Sequence, residues 1–223
     1  MSAEFDHAFI CTSIGGSEAA RLTAFGLTEG APNTHPGQGT ACRRFFFRNA
    51  YLELVWVNDP AEAQSQTIQP TKLWERWAGR ESGACPFGFG FRPTALQPGI
   101  VPFSSWEYRP PYLPEPLCFH IGTNIDVLTE PMLFYLSFAR QPDSYSNAKR
   151  PPLEHKAGLR EITRVEFVTP HLDNASPELQ AVRRAGLVRL REGAEYLLEL
   201  GFDRELKRQM ADFRPALPLV FHW

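Results

Sequence analysis

The chain has 223 residues, of which 43% are hydrophobic, and a formal net charge of -2 at pH 7. A chain of this length and composition can bury a large core and should be globular. Its nearly balanced charge gives no overall attraction to nucleic acid or to anionic lipid, so we expect neither as a partner. A small molecule is compatible with this balance.

The start of the chain and its apolar runs predict a cytoplasmic protein. No apolar run approaches the roughly 20 residues that span a bilayer. The opening "MSAEFDHAFICTS" lacks the basic start and apolar core of a signal peptide. The cysteines lie too far apart for a zinc site or a disulfide scaffold, so we expect buried free thiols. They are Cys11, Cys42, Cys85 and Cys118.

The first quarter of the chain predicts a strand, a helix and a hairpin. Residues 5–12, "FDHAFICT", alternate as a strand does. Alternation places four of them on one face: Phe5, His7, Phe9 and Cys11. The next stretch, "GGSEAARLTAFG", predicts a short helix that ends at Gly26. A hairpin follows, with strands over residues 43–47 and 51–57.

Glu53 is the charged residue inside the second, otherwise apolar strand of this hairpin. Both faces of that strand carry apolar side chains, as expected of a strand that is covered on both sides. A carboxylate buried there must be paired, bound to a metal or neutral. Arg43 or Arg44, across the hairpin, would give a structural ion pair.

The middle of the chain predicts one helix and several strands. Residues 70–80, "PTKLWERWAGR", fit a helix. In "CPFGFGFRP" phenylalanines alternate with Gly88 and Gly90, so one strand face is bulky and the other lets a neighbouring group come close. "FSSWEYRPPY" and "EPLCFHIGTN" predict further strands, the second of which carries His120.

The last third repeats the order of the opening unit. After a polar, proline-bearing stretch at 141–160, "ITRVEFVTP" predicts a strand. "SPELQAVRRAG" predicts a helix with Ser176 as its cap and Gly186 as its stop, and "LVRLREGAEYLLELGFD" predicts a hairpin. A helix over "DRELKRQMADF" and a short strand in "LPLVFHW" are expected to close the chain.

A βαβββ unit with His on its first strand and Glu on its last resembles the vicinal oxygen chelate superfamily, which includes glyoxalase I. The stretch "HPGQGTACRRFFFRNAYLELVWVNDP" is similar to its glyoxalase-like branch, whose members carry a His-Pro-Gly-Gly-Thr turn before a Leu-Glu-Leu strand. The resemblance implies an α+β fold of repeated βαβββ modules forming a half-open barrel. It divides the chain into a first module (1–80), second-module strands with proline-rich loops (81–140), a linker loop (141–160), and a third βαββ-like repeat with a C-terminal helix (161–223).

The resemblance also implies a divalent metal held by His and Glu on the first and last strands of each module. His7 and Glu53 stand at the matching positions, and Glu53 is in addition the candidate for proton transfer. Imidazole and carboxylate ligands suit Zn, Fe, Mn, Ni or Co. We prefer His120 as the third ligand, with Glu166 and Glu199 of the later repeat as the alternative. The strand "CPFGFGF", which should supply the remaining ligand, contains neither His nor Glu.

Two functions remain open at this point. One is a divalent-metal-dependent enzyme, of lyase, isomerase or dioxygenase type, acting on a small oxygenated organic molecule. The other is a metal-free binding or resistance protein of the same fold. A homodimer is a further expectation, since modules of this family often pair between chains. Five residues are predicted to bind the substrate, from the glycine turn, the hairpin and the phenylalanine cluster: His35, Gly37, Gly39, Arg43 and Phe89.

Overall fold

The computed structural model of the chain describes residues 3–94 and 100–223, which form two β-sheets with short helices between their strands. The strands are β1 (Ala3–Cys11), β2 (Asn33–His35), β3 (Thr40–Phe46), β4 (Tyr51–Val57), β5 (Phe87–Pro93), β6 (Ser105–Tyr108), β7 (Phe119–Gly122), β8 (Met132–Tyr135), β9 (Ile162–Thr169), β10 (Arg189–Glu192), β11 (Leu197–Phe202), β12 (Met210–Asp212) and β13 (Leu219–His222). The α-helices of the described residues are α1 (Ala19–Phe25), α2 (Pro60–Ala63), α3 (Leu73–Ala78) and α4 (Pro177–Arg184).

The larger sheet consists of two four-stranded units joined at its centre. Its strand order is β2-β3-β4-β1-β5-β8-β7-β6. Within each unit the first strand runs parallel to the last, β1 with β4 and β5 with β8, and the two units meet where β1 and β5 pair antiparallel. The sheet is not closed, because β2 and β6 form its two edges. The α+β fold with a repeated module and an open barrel, expected from the sequence, is confirmed.

The smaller sheet repeats the strand relations of the larger one with fewer strands. Its order is β10-β9-β11-β13-β12. Neighbouring pairs in this order are parallel, antiparallel, parallel and antiparallel, as they are along β4-β1-β5-β8-β7. The smaller sheet thus repeats the strand directions of the centre of the larger sheet. The strand-helix-hairpin unit predicted from the sequence does not recur as such, since β10 and β11 lie on opposite sides of β9 and do not pair with each other.

The expected C-terminal helix over "DRELKRQMADF" is also wrong. Only residues 203–205 form a single 3-10 turn, and Met210–Asp212 form β12. Arg204 has a φ of 61°, which no α-helix accepts. The Asp203 carboxylate accepts hydrogen bonds from the backbone of residues 160 and 161, and Glu205 pairs with Arg164. These tertiary contacts outweigh the helix propensity of the segment.

One face of the large sheet and one face of the small sheet share a single hydrophobic core. Phe87 and Phe89 of β5 meet Phe167 of β9 edge to face, with ring centroids 5.8 and 5.7 Å apart. Leu22 of α1 and Val182 of α4 belong to the same core. The small sheet therefore covers one face of the large sheet. The other face, which the small sheet leaves uncovered, carries the side chains that alternate with those of the shared core.

The uncovered face explains the glycines of β5. A Cβ at Gly88 would overlap the ring of Phe9, and a Cβ at Gly90 would lie 2.9 Å from Cε1 of His7. The prediction that this face of β5 lets a neighbouring group come close is confirmed. The groups are Phe9 and His7 of β1 and, beside Gly90, Phe134 of β8.

A side chain at position 88 should destabilise the fold. We expect Gly88→Ala to lower the free energy of unfolding by about 1–3 kcal/mol because the new methyl group forces the Phe9 ring out of place. Urea denaturation measures this change. Phe9→Leu should be less harmful in the Gly88→Ala background than alone, which a double-mutant cycle reports as coupling. Additive effects of the two substitutions would contradict the proposed contact.

Candidate functional site

A pocket of about 220 Å³ opens on the uncovered face of the large sheet. Both four-stranded units contribute to it, together with the segment between β6 and β7. Its walls are mainly aromatic: Phe9, Tyr108, Tyr112, Phe119, Phe134 and Phe138. Its polar side chains come mostly from the first unit: His7, Asn33, His35, Gln38, Thr40, Arg44, Tyr51 and Glu53. The pocket is thus apolar on one side and rich in hydrogen-bonding groups on the other.

His7 is held from behind by a buried chain of charges. Consecutive strand residues normally point to opposite faces. The pairing of β1 with β5 shifts between Phe5 and His7, and this irregularity brings the Asp6 carboxylate to its neighbour's ring. The Nδ1 atom of His7 lies 2.6 Å from Oδ1 of Asp6, whose Oδ2 accepts a 2.7 Å bond from Arg92. As a further effect of the shift, Phe5 joins the shared core and does not face the same side as His7.

Arg92 anchors this chain. It is 1% exposed and also donates to the carboxylate of Glu4 and to the carbonyl of Asn49. Burial alone would raise the pKa of Asp6, but the hydrogen bond from His7 and the positive charge of Arg92 hold that pKa below its usual value. Asp6 therefore stays ionised and fixes the orientation of the His7 ring.

The pocket side of His7 faces Glu53. Because Nδ1 donates to Asp6, a neutral His7 presents an unprotonated Nε2 to the pocket. This Nε2 lies 3.9 Å from Oε2 of Glu53, and the Tyr51 ring stacks on the imidazole at 4.2 Å. In that neutral form, Nε2 of His7 and the carboxylate of Glu53 face each other as two hydrogen-bond acceptors at the polar side of the pocket.

Neither arginine expected to pair with Glu53 does so. Arg43 binds Glu29, with Nη2 2.5 Å from Oε2. Arg44 stands opposite Glu53 in the hairpin but donates to the carbonyl of Ala31. The remaining close contact of Glu53 is the Cys42 thiol, 3.6 Å from Oε1. The structural ion pair considered from the sequence is absent, and Glu53 is free to act toward the pocket.

The family model described as "Glyoxalase-like domain" matches residues 5–97. The match runs from Phe5 in β1 through β5, and so covers the strands that carry His7, Glu53 and Gly90.

Solved structures resemble the chain in fold at low sequence identity. A hypothetical protein from Staphylococcus aureus, known from its crystal structure, has a TM-score of 0.51 at 10% identity and covers 99% of each chain. A fusion protein of a xylose isomerase-like TIM barrel and 4-hydroxyphenylpyruvate dioxygenase has a TM-score of 0.45 at 10% identity, over 91% of this chain and 36% of its own. Among curated proteins none matches.

Within the described residues, the second unit of the glyoxalase-like fold adds no His, Cys, Asp or Glu to the pocket lining. Met132 and Phe134 of β8 line the pocket, whereas Gly88 and Gly90 of β5 lie behind the side chains of Phe9, His7 and Phe134. His120 does not reach it. It pairs with Tyr135, which belongs to the shared core, while its neighbours Phe119 and Ile121 pack toward the pocket side.

Glu166 and Glu199 lie on the other sheet, opposite each other on β9 and β11. Arg191 pairs with both carboxylates, and Arg164 and His222 complete the network. Within residues 3–94 and 100–223 no three His, Cys, Asp or Glu side chains converge as a metal site would require. His7 and Glu53 alone do not fit a resident divalent ion held by three protein ligands.

The other predicted binding residues divide between pocket and scaffold. His35 lines the pocket, where burial lowers its pKa and where Nδ1 contacts Thr40. Gly37 and Gly39 serve the turn: both have positive φ, and the Gly37 amide donates to Glu62. Arg43 is engaged by Glu29 as described above. Phe89 lies in the shared core.

Sequence reasoning did not recognise the residues that hold the His7 ring in place. Asp6 directly precedes His7, and the polar pair in "FDHAF" was the available signal. Arg92 ends the alternating phenylalanine strand, where its burial could not be recognised. Tyr112 comes from a proline-bearing loop that carries no periodic pattern.

Replacing Asp6 should change the acid stability of the protein. Its folded pKa is below the unfolded value, so its stabilisation is complete above about pH 4 and is lost as the pH falls through the lower folded value. We expect Asp6→Asn to cost about 3–5 kcal/mol at pH 7, because Arg92 loses its buried partner. The variant should also lose less stability than the wild type as the pH falls below about 4.

Urea unfolding at a series of pH values measures both effects. Asp126→Asn is the control, since its carboxylate is 79% exposed. An unchanged acid dependence in Asp6→Asn would contradict the role assigned to the buried pair.

Proposed function

We propose that the chain is a binding protein for a small, flat organic molecule with a hydroxyl group, and that it needs no resident metal for this. The observation that supports the proposal is the pair of acceptors, Nε2 of His7 and Oε2 of Glu53, 3.9 Å apart in a pocket with aromatic walls. Buried acceptors are costly without a donor. A hydroxyl group on the ligand supplies that donor.

The shape of the pocket supports a ring as the body of the ligand. Phe9, Phe119 and Phe134 line the pocket from both units of the sheet, and the Phe134 ring stacks on the other two. Aromatic side chains favour offset or edge contacts with another ring. A phenol combines such a ring with the required O–H group, and it is the simplest ligand of this class.

The same geometry supports transfer of the hydroxyl proton. His7 is oriented by Asp6, as the base of a catalytic triad is oriented by its carboxylate, and Glu53 adds negative charge beside it. When the ligand hydroxyl loses its proton, Nε2 of His7 receives it. Glu53 then stabilises the imidazolium.

A divalent-metal-dependent enzyme of the lyase, isomerase or dioxygenase type is the second candidate. It is favoured by the buried carboxylate behind His7, an arrangement common for metal-binding histidines, and by the direction of Glu53. It ranks lower because the described residues supply only these two donors. A cytoplasmic location and a homodimer remain predictions. Among the described residues, no helix has the length and apolar character that a membrane-spanning segment requires.

Titration calorimetry with 4-butylphenol tests the binding proposal. We expect saturable binding at one site per chain. The ether 4-butylanisole cannot donate a hydrogen bond and should bind about tenfold more weakly, since an unpaired buried acceptor costs about 1–3 kcal/mol. Glu53→Gln should narrow this difference, whereas Glu81→Gln, at an 84% exposed side chain, should preserve it. Equal binding of both compounds to the wild type would contradict the proposal.

Metal content separates the two candidates. In protein purified without chelators, elemental analysis should find well below one equivalent of Zn, Fe, Mn, Ni or Co, because two protein ligands hold such ions weakly. One equivalent that disappears in both His7→Ala and Glu53→Ala would reverse the ranking in favour of the metal-dependent enzyme.

A further inference from the structure

A second pocket, of about 480 Å³, adjoins the first. Four residues line both: Arg44, Tyr51, Leu136 and Phe138. The ring of Tyr51 stacks on His7 at one side and on Phe46 at the other, so its side chain forms part of the boundary between the two spaces. The two pockets are therefore adjacent, and a ligand that occupies both would pass Arg44 and Tyr51.

The second pocket is strongly positive. Its lining includes Arg44, Arg140, Lys149 and Arg150, against the single acidic residue Asp6. Both oxygens of Asp6 are already engaged, one by His7 and one by Arg92. The positive charges of this pocket are thus not neutralised from within it.

Arg140 and Lys149 are exposed, and neither side chain forms an ion pair or hydrogen bond with the described residues. Arg150 uses its Nε to bind the carbonyl of Tyr145. Arg44 lies over the ring of Phe46 at 5.2 Å and donates to Ala31. Cations gathered around a concave surface raise the local concentration of anions and hold them by charge-assisted bonds.

We infer that the ligand of this protein is an organic anion, with its hydroxylated ring in the first pocket and a carboxylate or phosphate group in the second. This inference rests on the proposed function, since it assigns the other end of the same ligand. The hydroxyl end is recognised by the acceptors His7 and Glu53. The opposite end is recognised by Arg140 and Lys149. Arg44, which lines both pockets, lies between the two ends of the ligand.

Two compounds of matched skeleton test the inference by titration calorimetry. In 4-(4-hydroxyphenyl)butanoate a carboxylate replaces the terminal methyl group of 4-butylphenol. We expect the double variant Arg140→Gln/Lys149→Gln to bind the carboxylate about tenfold more weakly than the wild type does, as the loss of two exposed charge contacts predicts. Its affinity for 4-butylphenol should stay within about twofold of the wild type, because no charge contact is lost.

The control is Arg21→Gln/Arg183→Gln, which removes the same net charge from exposed positions on α1 and α4. This variant should leave both affinities unchanged. Salt provides a second measurement, since added NaCl should weaken binding of the carboxylate and not of the phenol. If the wild type binds neither compound, the proposed function fails. If it binds 4-butylphenol while Arg140→Gln/Lys149→Gln leaves carboxylate affinity unchanged, only the inference about the anion fails.

A third compound, 3-(4-hydroxyphenyl)propyl phosphate, distinguishes the two anionic groups. A phosphate carries more charge than a carboxylate and accepts more hydrogen bonds, so a phosphate ligand should show the larger loss in Arg140→Gln/Lys149→Gln. An equal loss for both compounds assigns the pocket to carboxylates and phosphates alike. A loss for neither overturns the inference.

Discussion

The arrangement of the site depends on one buried guanidinium. Arg92 draws together Glu4, Asp6 and the carbonyl of Asn49, which belong to β1 and to the turn between β3 and β4. A buried cation requires such partners, because leaving it unpaired costs several kcal/mol. The bonds that pair the charge of Arg92 also hold the Asp6 carboxylate in place, and Asp6 in turn fixes the orientation of the His7 ring. The direction of Nε2 into the pocket is thus a consequence of how β5 ends.

Local pattern predicted much of the fold, and long-range pairing supplied the rest. Period-two alternation identified β1, β3 to β7 and β9, and capping residues identified α1 and α4, because these signals act within one segment. The order of β9, β10 and β11 depends on contacts between segments, so a sequence that suggests a hairpin folds as two flanking strands. The segment 203–212 has helix propensity, but its carboxylates bind neighbours that only the tertiary structure brings near.

The candidate site was likewise predictable from the sequence only in part. Glu53 is recognisable because a charge inside an apolar strand requires a partner, and His7 is recognisable beside it. His120 looked equivalent, but alternation on β7 turns it away from the pocket while Phe119 faces inward. Which face of a strand meets the pocket follows from pairing register, and a shift of one residue reverses it. Arg92 is unremarkable in sequence because burial, and not residue type, gives it its role.

The pocket takes two of its properties from different units of the large sheet. The hydrogen-bond acceptors come from the first unit, whereas the second unit supplies mainly apolar wall, including Met132 and Phe134. Side chains on β8 and in the loop around Tyr112 can therefore change the size of the ligand without disturbing the acceptors. When one unit of a duplicated fold supplies the acceptors and the other supplies the apolar walls, substitutions in the second unit alone can change which ligand binds. Related chains that retain the Asp-His pair and differ in these wall positions would then bind different molecules by the same proton contact.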